Sequence, residues 1–420
     1  MKQNLSNVVV VVVMFLSVGA YAQEQQVSSL LSNYGIGTVF SEATIAEKAQ
    51  GGLVAVSNNT KEVNSIANPA LLGDLKLTSL TVSLQAFSAN VETQSVDYQT
   101  SSLSISNLSL GVPLGTRGAF SMGLRPHSAV GFETQNTSFY NYADGGVNQF
   151  FVGLGYQVVK NLNVGFQFSR YFGKIEKQQV FKGVQKASVQ NNNFNVKGIS
   201  TRVGIQYTYD FSDAIQAVAG AYGILGYDLK AEGSSRFYEA IQSDIKTFSE
   251  ISGSAIENGI NGQEKTPFKT ALGLGLGKEN NWFAGLSYEF RDAVTYTGNA
   301  FNQTASTNIS YNYEEASKIS LGGYYIPKKY ALKNYFNRVA YRAGVKYEKT
   351  GLMLNNQSVK DFGITFGLGL PVGRRVSYAN FSLELGTLGD FSENKYQENY
   401  FNLGVEFSLS DKWFNKRVID

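Results

Sequence analysis

Phe362-Gly363-Ile364-Thr365-Phe366-Gly367-Leu368-Gly369-Leu370 is the stretch on which the fold turns. A large apolar residue stands at every even position and Gly or Thr at every odd one. Successive side chains of a strand point to opposite faces, so this stretch has one apolar face and one small face. A one-residue slip in pairing would exchange them, so the pattern also fixes which face meets an apolar surrounding. The alternation recurs upstream, where Phe150, Val152, Leu154, Tyr156 and Val158 oppose Gly153, Gly155 and Gln157. It recurs again near the chain end, where Phe401, Leu403, Val405, Phe407 and Leu409 oppose Asn402, Gly404, Glu406 and Ser408.

Working outward, fourteen such strands are read between residues 77 and 410. The third covers 118–132, the fourth 147–159, the sixth 194–210, the seventh 214–230, the twelfth 359–370 and the last 398–410. Connections after strands two, four, six, eight and twelve are short: Leu114–Arg117, Lys160-Asn161, Phe211–Asp213, Lys278–Asn280 and Pro371–Arg374. The one after strand ten, Pro327–Tyr335, is longer. Those after odd strands are mostly long, above all Ala231–Thr266. Outer-membrane barrels have this asymmetry, with short periplasmic turns and long outer loops. A β-sandwich or a propeller does not predict it, and no blade-length repeat is present. The expected fold is all-β, a 14-stranded antiparallel transmembrane barrel over residues 77–411. Residues 23–76 form an N-terminal hatch that plugs its lumen, and 412–420 a periplasmic tail.

Composition agrees. Charged residues make up 16%, below the roughly 25% of soluble domains. Mean hydropathy is -0.16, which suits a wall whose every second residue faces lipid. The net charge of +3 does not point to nucleic acid. The absence of Cys excludes disulfides, thiolate metal sites and Cys nucleophiles. With a single His, neither a metal nor a cofactor is expected. At the N-terminus, Lys2, the apolar run Val8–Leu16 and Ala20-Tyr21-Ala22 read as a signal peptide over residues 1–22, cleaved after Ala22. The run is shorter than the ~20 residues of a spanning helix. The expected destination is the outer membrane of a Gram-negative bacterium, with membrane lipid and lipopolysaccharide around the wall.

Between signal and wall, Ser28–Leu72 lacks strand alternation. Ser41–Ala49 reads as a short helix, with Ser41 as N-cap and Gly51-Gly52 ending it. Asn68-Pro69 reads as a turn, because Pro69 lacks an N–H and restricts Asn68 to extended backbone. Eight strands already close into an interior that side chains can fill, so fourteen leave a lumen needing a plug. Gly51, Gly52, Asn68, Pro69 and Ala70 are therefore expected inside the ring. The third strand carries Arg125-Pro126-His127-Ser128 in its middle. Proline in strands is confined to edges and bulges. Either the ladder between strands two and three breaks near Pro126, or the strand ends early and Pro126 lies in a loop.

These residues resemble a known family. Asn68-Pro69-Ala70-Leu71-Leu72, with Ser41–Ala49 and Gly51-Gly52 upstream, is similar to the hatch of the FadL-type long-chain fatty acid transporters. Tyr156–Glu176, ending Lys174-Ile175-Glu176, resembles the same family. Gly363–Val372 and Asn399–Arg417 resemble a FadL-like branch of diverse roles. The resemblance implies fourteen strands, a plugging hatch and a lateral opening at a kink in the third strand, through which hydrophobic ligands leave sideways. The chain departs from the family in ending with Asp420 after Phe414-Asn415-Lys416-Arg417, not with an aromatic. Its outer loops do not align, so ligand contacts are not carried over position by position.

Candidate ligand contacts come from two places. In Phe237–Ile256, the residues Phe237, Ile241, Ile245, Phe248 and Ile251 recur at helical spacing. They predict an amphipathic helix in the outer loop 231–266. It would either pack on the barrel rim or line a groove for a hydrophobic small molecule. Inward faces carry Arg125, Arg202, Glu289, Arg291, Arg342, Lys346, Glu384 and Glu406, which either brace wall and hatch or hold a carboxylate. The rigid fork of Arg suits a carboxylate, which makes Arg202 and Arg342 the ligand candidates. Catalysis has little support. No G-x-S-x-G, H-E-x-x-H or P-loop is present, and His127 has no evident carboxylate partner for a lipid hydrolase. The leading reading is a non-enzymatic channel for passive uptake of hydrophobic compounds, long-chain fatty acids among them. The alternative is a FadL-like barrel serving as a structural or interaction subunit of an outer-membrane secretion or surface-assembly complex, with an outer-membrane protein partner. Diverged loops and the basic residues Lys412, Lys416 and Arg417 motivate it.

Overall fold

The structure, a computed structural model, describes residues 29–58, 65–94, 97–135, 138–183, 185–212, 215–242, 248–301, 310–373 and 377–412. The signal peptide, Ile245 and residues 413–420 of the tail lie outside the described residues.

Fourteen antiparallel strands form the wall. They are β1 Thr78–Thr93, β2 Tyr98–Pro113, β3 Gly118–Gln135, β4 Phe139–Val159, β5 Leu162–Lys182 and β6 Ala187–Ser212. Four strands come in two pieces: β7 Ile215–Ile224 and Tyr227–Gln242, β8 Ile256–Thr266 and Lys269–Lys278, β9 Trp282–Arg291 and Thr295–Gly298, and β10 Tyr311–Tyr313 and Ala316–Tyr325. The wall ends with β11 Ala340–Leu354, β12 Gln357–Val372, β13 Ser377–Asp390 and β14 Tyr396–Asp411. β1 pairs with β14 from Thr78↔Asp411 to Thr93↔Tyr396, which closes the ring. Closure is what lipid demands, since an open edge there would leave amides without partners. The alternation read from sequence sets the faces. Leu154, Phe166, Leu274, Leu321, Phe366 and Leu403 are exposed on the outside, while Phe151, Gln167 and Ser320 are buried on the inside. No described helix is long and apolar enough to cross a membrane.

Several strands run further than the pattern predicts. β4 begins at Phe139 instead of 147, and β6 at Ala187 instead of 194. These extensions contain runs such as Asn191-Asn192-Asn193. Beyond the bilayer no lipid enforces apolar alternation, so the periodicity fades while the ladder continues.

The expected outer helix is corrected by the same extension. Tyr227–Gln242 is a strand, pairing with Ala187–Gly198 on one side and Ile256–Thr266 on the other. A spacing of four residues fits one face of a helix, but it also keeps the same parity along a strand. Phe237 and Ile241 therefore share the outward strand face, exposed to 44% and 55%. Phe248 lies in the short strand Phe248–Glu250, folded back onto 240–242, with its ring 5.8 Å from that of Tyr140.

Residues 29–58 and 65–75 run inside the ring, touching strands on all sides. Lys48 Nζ donates to Ser106 Oγ on β2 (3.4 Å), Gly51 N to Thr365 Oγ1 on β12 (2.9 Å) and Ser57 N to Gln206 Oε1 on β6 (3.2 Å). Asn163 Nδ2 on β5 donates to Asp74 Oδ2 (2.6 Å). The helix is shorter than expected, Ile45–Lys48, and its N-cap is Thr44, not Ser41. Thr44 wins because Glu47 stands three residues on and completes a capping box. Gly51 and Gly52 follow at φ +73° and +78°, which an L side chain rarely adopts. They lie so close to the wall that a Cβ on Gly344 of β11 would sit 2.3 Å from Gly51 N. At the Asn68-Pro69 turn, a Cβ on Gly165 of β5 would sit 2.2 Å from the Pro69 carbonyl carbon. The small face read from the strands is the surface that admits this backbone.

Candidate functional site

The lumen has a charged layer around Glu42 in its lower half, beside a small apolar cluster of Leu53, Val56, Val218, Phe283 and Tyr324, and a larger apolar core in its upper half. In the charged layer a single carboxylate ties two strands to the inner segment. Glu42 accepts from Arg125 Nη2 on β3 at 2.8 Å and from Arg202 Nη2 on β6. Arg202 Nη1 also donates to the carbonyls of Ile66 (3.1 Å) and Ala67 (2.8 Å). Burial alone would raise the Glu42 pKa, but the Arg202 and Arg125 guanidiniums outweigh it and hold the carboxyl well below the usual range. Glu47 is the opposite case. Burial raises its pKa to about 7, against hydrogen bonds from Thr44 and Ser65. Glu406 of β14 accepts from Ile45 N (3.1 Å), Ser83 Oγ (2.9 Å) and Asn380 Nδ2 (3.0 Å).

Of the two ligand candidates, Arg202 has its fork committed to Glu42 and to backbone. Arg342 donates to Asn380 Oδ1 (3.0 Å), and its buried Nε has no hydrogen-bond partner among the described residues. It lines a cavity of about 40 Å³ with Thr44, Glu47, Gln50, Asn380 and Glu406. That is room for a few waters, one needing ~10–15 Å³ on this measure. The other inward charges brace the wall. Lys269 lies 2.6 Å and Lys318 3.7 Å from Glu289, and Lys346 bridges Asp361 (2.8 Å) and Glu384 (2.6 Å).

Above this layer the lumen is a packed apolar core. Ile36 of the inner segment is buried among Val130, Tyr171, Ile175, Phe194, Leu229 and Phe301. Tyr171 stacks on Tyr227 with centroids 5.1 Å apart, and Phe194 meets Phe301 edge-on at 5.7 Å. A second cluster joins Tyr34 to Val91, Leu354 and Tyr396.

The Arg125-Pro126-His127-Ser128 stretch sits where the wall pairing changes. The β2–β3 ladder runs from Pro113↔Ala119 to Leu108↔Leu124 and stops there. Toward β4 the register shifts between Pro126 and Ser128, leaving His127 as the extra residue. The freed edge of β3 pairs instead with Thr38–Val39 of the inner segment, Thr38↔Ala129 and Val39↔Ser128, and Phe40 N donates to His127 O (2.9 Å). Val39 is 58% exposed in this slot. The His127 ring is buried edge-on against Tyr171 at 4.7 Å, and its Nδ1 has no hydrogen-bond partner among the described residues. Among the described residues no carboxylate is hydrogen-bonded to it to orient it as a base. No described cluster of His, Asp and Glu fits a metal ion.

Sequence reasoning missed Glu42 and Glu47. Both lie in a segment without periodicity; Glu47 is marked by the capping-box spacing from Thr44, and Glu42 by no motif. The available signal is a pair of carboxylates within an otherwise apolar stretch destined for burial.

A family model described as BamG matches residues 4–420. No curated protein matches the chain. Among solved structures, the chain is similar to the toluene transporter TodX of Pseudomonas putida, with a TM-score of 0.60 and 16% identity over 88% of this chain and 98% of that one. It is similar to the toluene transporter TbuX of Ralstonia pickettii, at 0.57 and 14% over 88% and 99%. A FadL homologue of Pseudomonas aeruginosa gives 0.60 and 11% over 89% and 98%. At these identities the likeness is one of fold alone.

Proposed function

Because this chain belongs to the BamG family, and because its lumen is filled, we propose that it serves as a structural and interaction subunit of an outer-membrane assembly complex. The observation that carries this reading is the packed upper lumen around Ile36, Tyr171, Phe194 and Phe301. An uptake channel for lipid-like compounds needs an apolar pocket of several hundred Å³. Here side chains occupy that space, and the inner segment is held by the Glu42 clamp and the Gly344 contact. A barrel so filled acts through its surfaces. The test is purification of the full-length protein from outer membranes in mild detergent. Stoichiometric recovery of another outer-membrane protein is expected, and isolation as a lone monomer would sink the reading.

A second reading is passive uptake of hydrophobic compounds, long-chain fatty acids included, through a lateral opening beside β3. The end of the β2–β3 ladder at Leu108↔Leu124 supports it. Loss of fatty-acid uptake on deletion, together with binding of a fatty acid by the purified barrel, would favour it over the first.

A further inference from the structure

The turn between β10 and β11 differs from the other periplasmic turns. It spans residues 326–339, whereas Lys160-Asn161 suffices between β4 and β5. It is built, not slack. Lys328 N donates to Asn337 O (2.7 Å), Phe336 N to Asn334 Oδ1 (3.2 Å) and Lys329 Nζ to Asn280 Oδ1 on the neighbouring turn (2.6 Å). On the other side, Tyr335 OH donates to Pro371 O (3.0 Å). Ile326, Ala331 and Val339 are buried beneath it.

On this frame Leu332 is fully exposed, Tyr330 is 74% exposed and Phe336 69%. Leu332 follows the buried Ala331, so it projects away from the wall. Apolar side chains clustered on an ordered surface mark an interaction site. The charge is one-sided. The turn carries Lys328, Lys329, Lys333 and Arg338, and no Asp or Glu occurs from Ala316 to Tyr347. Neither Lys328 nor Lys333 has an ion pair among the described residues.

We propose that this turn docks the periplasmic face of the outer-membrane protein partner, one presenting an apolar cleft rimmed by carboxylates. Leu332 and Tyr330 enter the cleft, and Lys328 and Lys333 meet the rim. Aromatic and aliphatic anchors inside a charged surround are how a small surface binds tightly and selectively. The inference rests on the subunit reading and names where the partner sits.

The test uses the full-length protein in native outer membranes, with a photo-crosslinking amino acid in place of Leu332. One adduct of discrete mass with a single outer-membrane protein is expected. Lys328→Glu combined with Lys333→Glu should lower its yield at least tenfold. Leu332→Asp should lower one-to-one co-purification of that protein at least tenfold, while heat-modifiable gel mobility shows the barrel still folded. If the wild type keeps its partner and these variants keep it too, the docking site is overturned and the subunit reading stands. If the wild type purifies alone, both fall. If the adduct is phospholipid, and charge reversal weakens binding to phosphatidylglycerol nanodiscs, the turn is a lipid anchor and the proposal is overturned.

Discussion

The lower and upper halves of the lumen are filled by different means. Around Glu42, small and charged wall side chains meet an inner segment that supplies backbone, a capped helix and carboxylates, with a smaller apolar cluster at Leu53, Val56, Val218, Phe283 and Tyr324. Above, large apolar side chains from opposite walls meet around Ile36. The Glu42 layer is held by a few directional contacts, the upper core by many weak ones. Single substitutions should therefore act sharply below and in proportion to lost volume above. The sharpest is Glu42→Ala. It strands the Arg125 and Arg202 guanidiniums, both buried. Removing one partner of a buried ion pair costs about 3–5 kcal/mol. The melting temperature in detergent should fall, and residues 42–58 should become sensitive to protease while the wall stays folded. Unchanged protection of that segment would mean the clamp does not hold it.

In the upper half, Leu229→Ala should cost about 2–5 kcal/mol, depending on how far the site collapses. Leu229 is fully buried. The cavity left behind should take up a small apolar fluorescent probe that the wild type excludes. Equal binding by both proteins would show that the upper lumen is already open, which would revive the channel reading. Gly344→Val probes the boundary between the halves. Its side chain has to displace Gly51, whose amide lies 2.3 Å from a Cβ at that position. Overpacking of this kind costs about 1–3 kcal/mol. The same change at Gly259 of β8, exposed and without a left-handed backbone, where a Cβ would meet nothing within 4 Å, supplies the control for substitution on the wall, and equal loss at both would mean that the Gly344 effect does not come from crowding Gly51.

The wall is legible in sequence because lipid writes a period of two onto every strand it touches. That is why the stretch from Phe362 to Leu370 fixes its own faces. Legibility stops where lipid stops. The helix expected at Phe237 and Ile241 fails because a spacing of four residues is common to one helix face and one strand face. The inner segment is legible only by contrast, as the stretch without alternation. Its Gly51-Gly52 and Asn68-Pro69 mark turns, but nothing in the chain says which wall residues meet them. The inward glycines carry that information without a motif, since a missing Cβ looks the same whether it makes room for a backbone or for nothing. Ser41 is the first capping residue met in the stretch Ser41–Ala49, yet only Thr44 has Glu47 three residues on. Arg202 looks like a ligand clamp because guanidinium chemistry suits any carboxylate. The carboxylate it holds is the chain's own Glu42, which three-dimensional packing alone brings within reach.

The smallest expected effect separates the two carboxylates of the inner segment by the sign of their pH dependence. Glu42 is held below the usual carboxylate range. Its contribution is complete above the ordinary value near ~4.3, and is lost only as pH falls through its lowered pKa. Glu47 is raised to about 7 by burial. The fold therefore favours its protonated form, and that contribution is lost as pH rises from near ~4.3 through 7. Between pH 5 and 8 the two do not cancel, because Glu42 is flat there and Glu47 is not. Over the single unit from pH 6 to 7, the loss should be at most about 1 kcal/mol. Hydrogen exchange at residues 44–56, corrected for the intrinsic rate, should accelerate across that range, and Glu47→Gln should flatten the profile while Glu42→Gln should not. A wild-type profile that is already flat would place Glu47 in contact with water, and the helix it caps would then lie at an open end of the lumen instead of inside it.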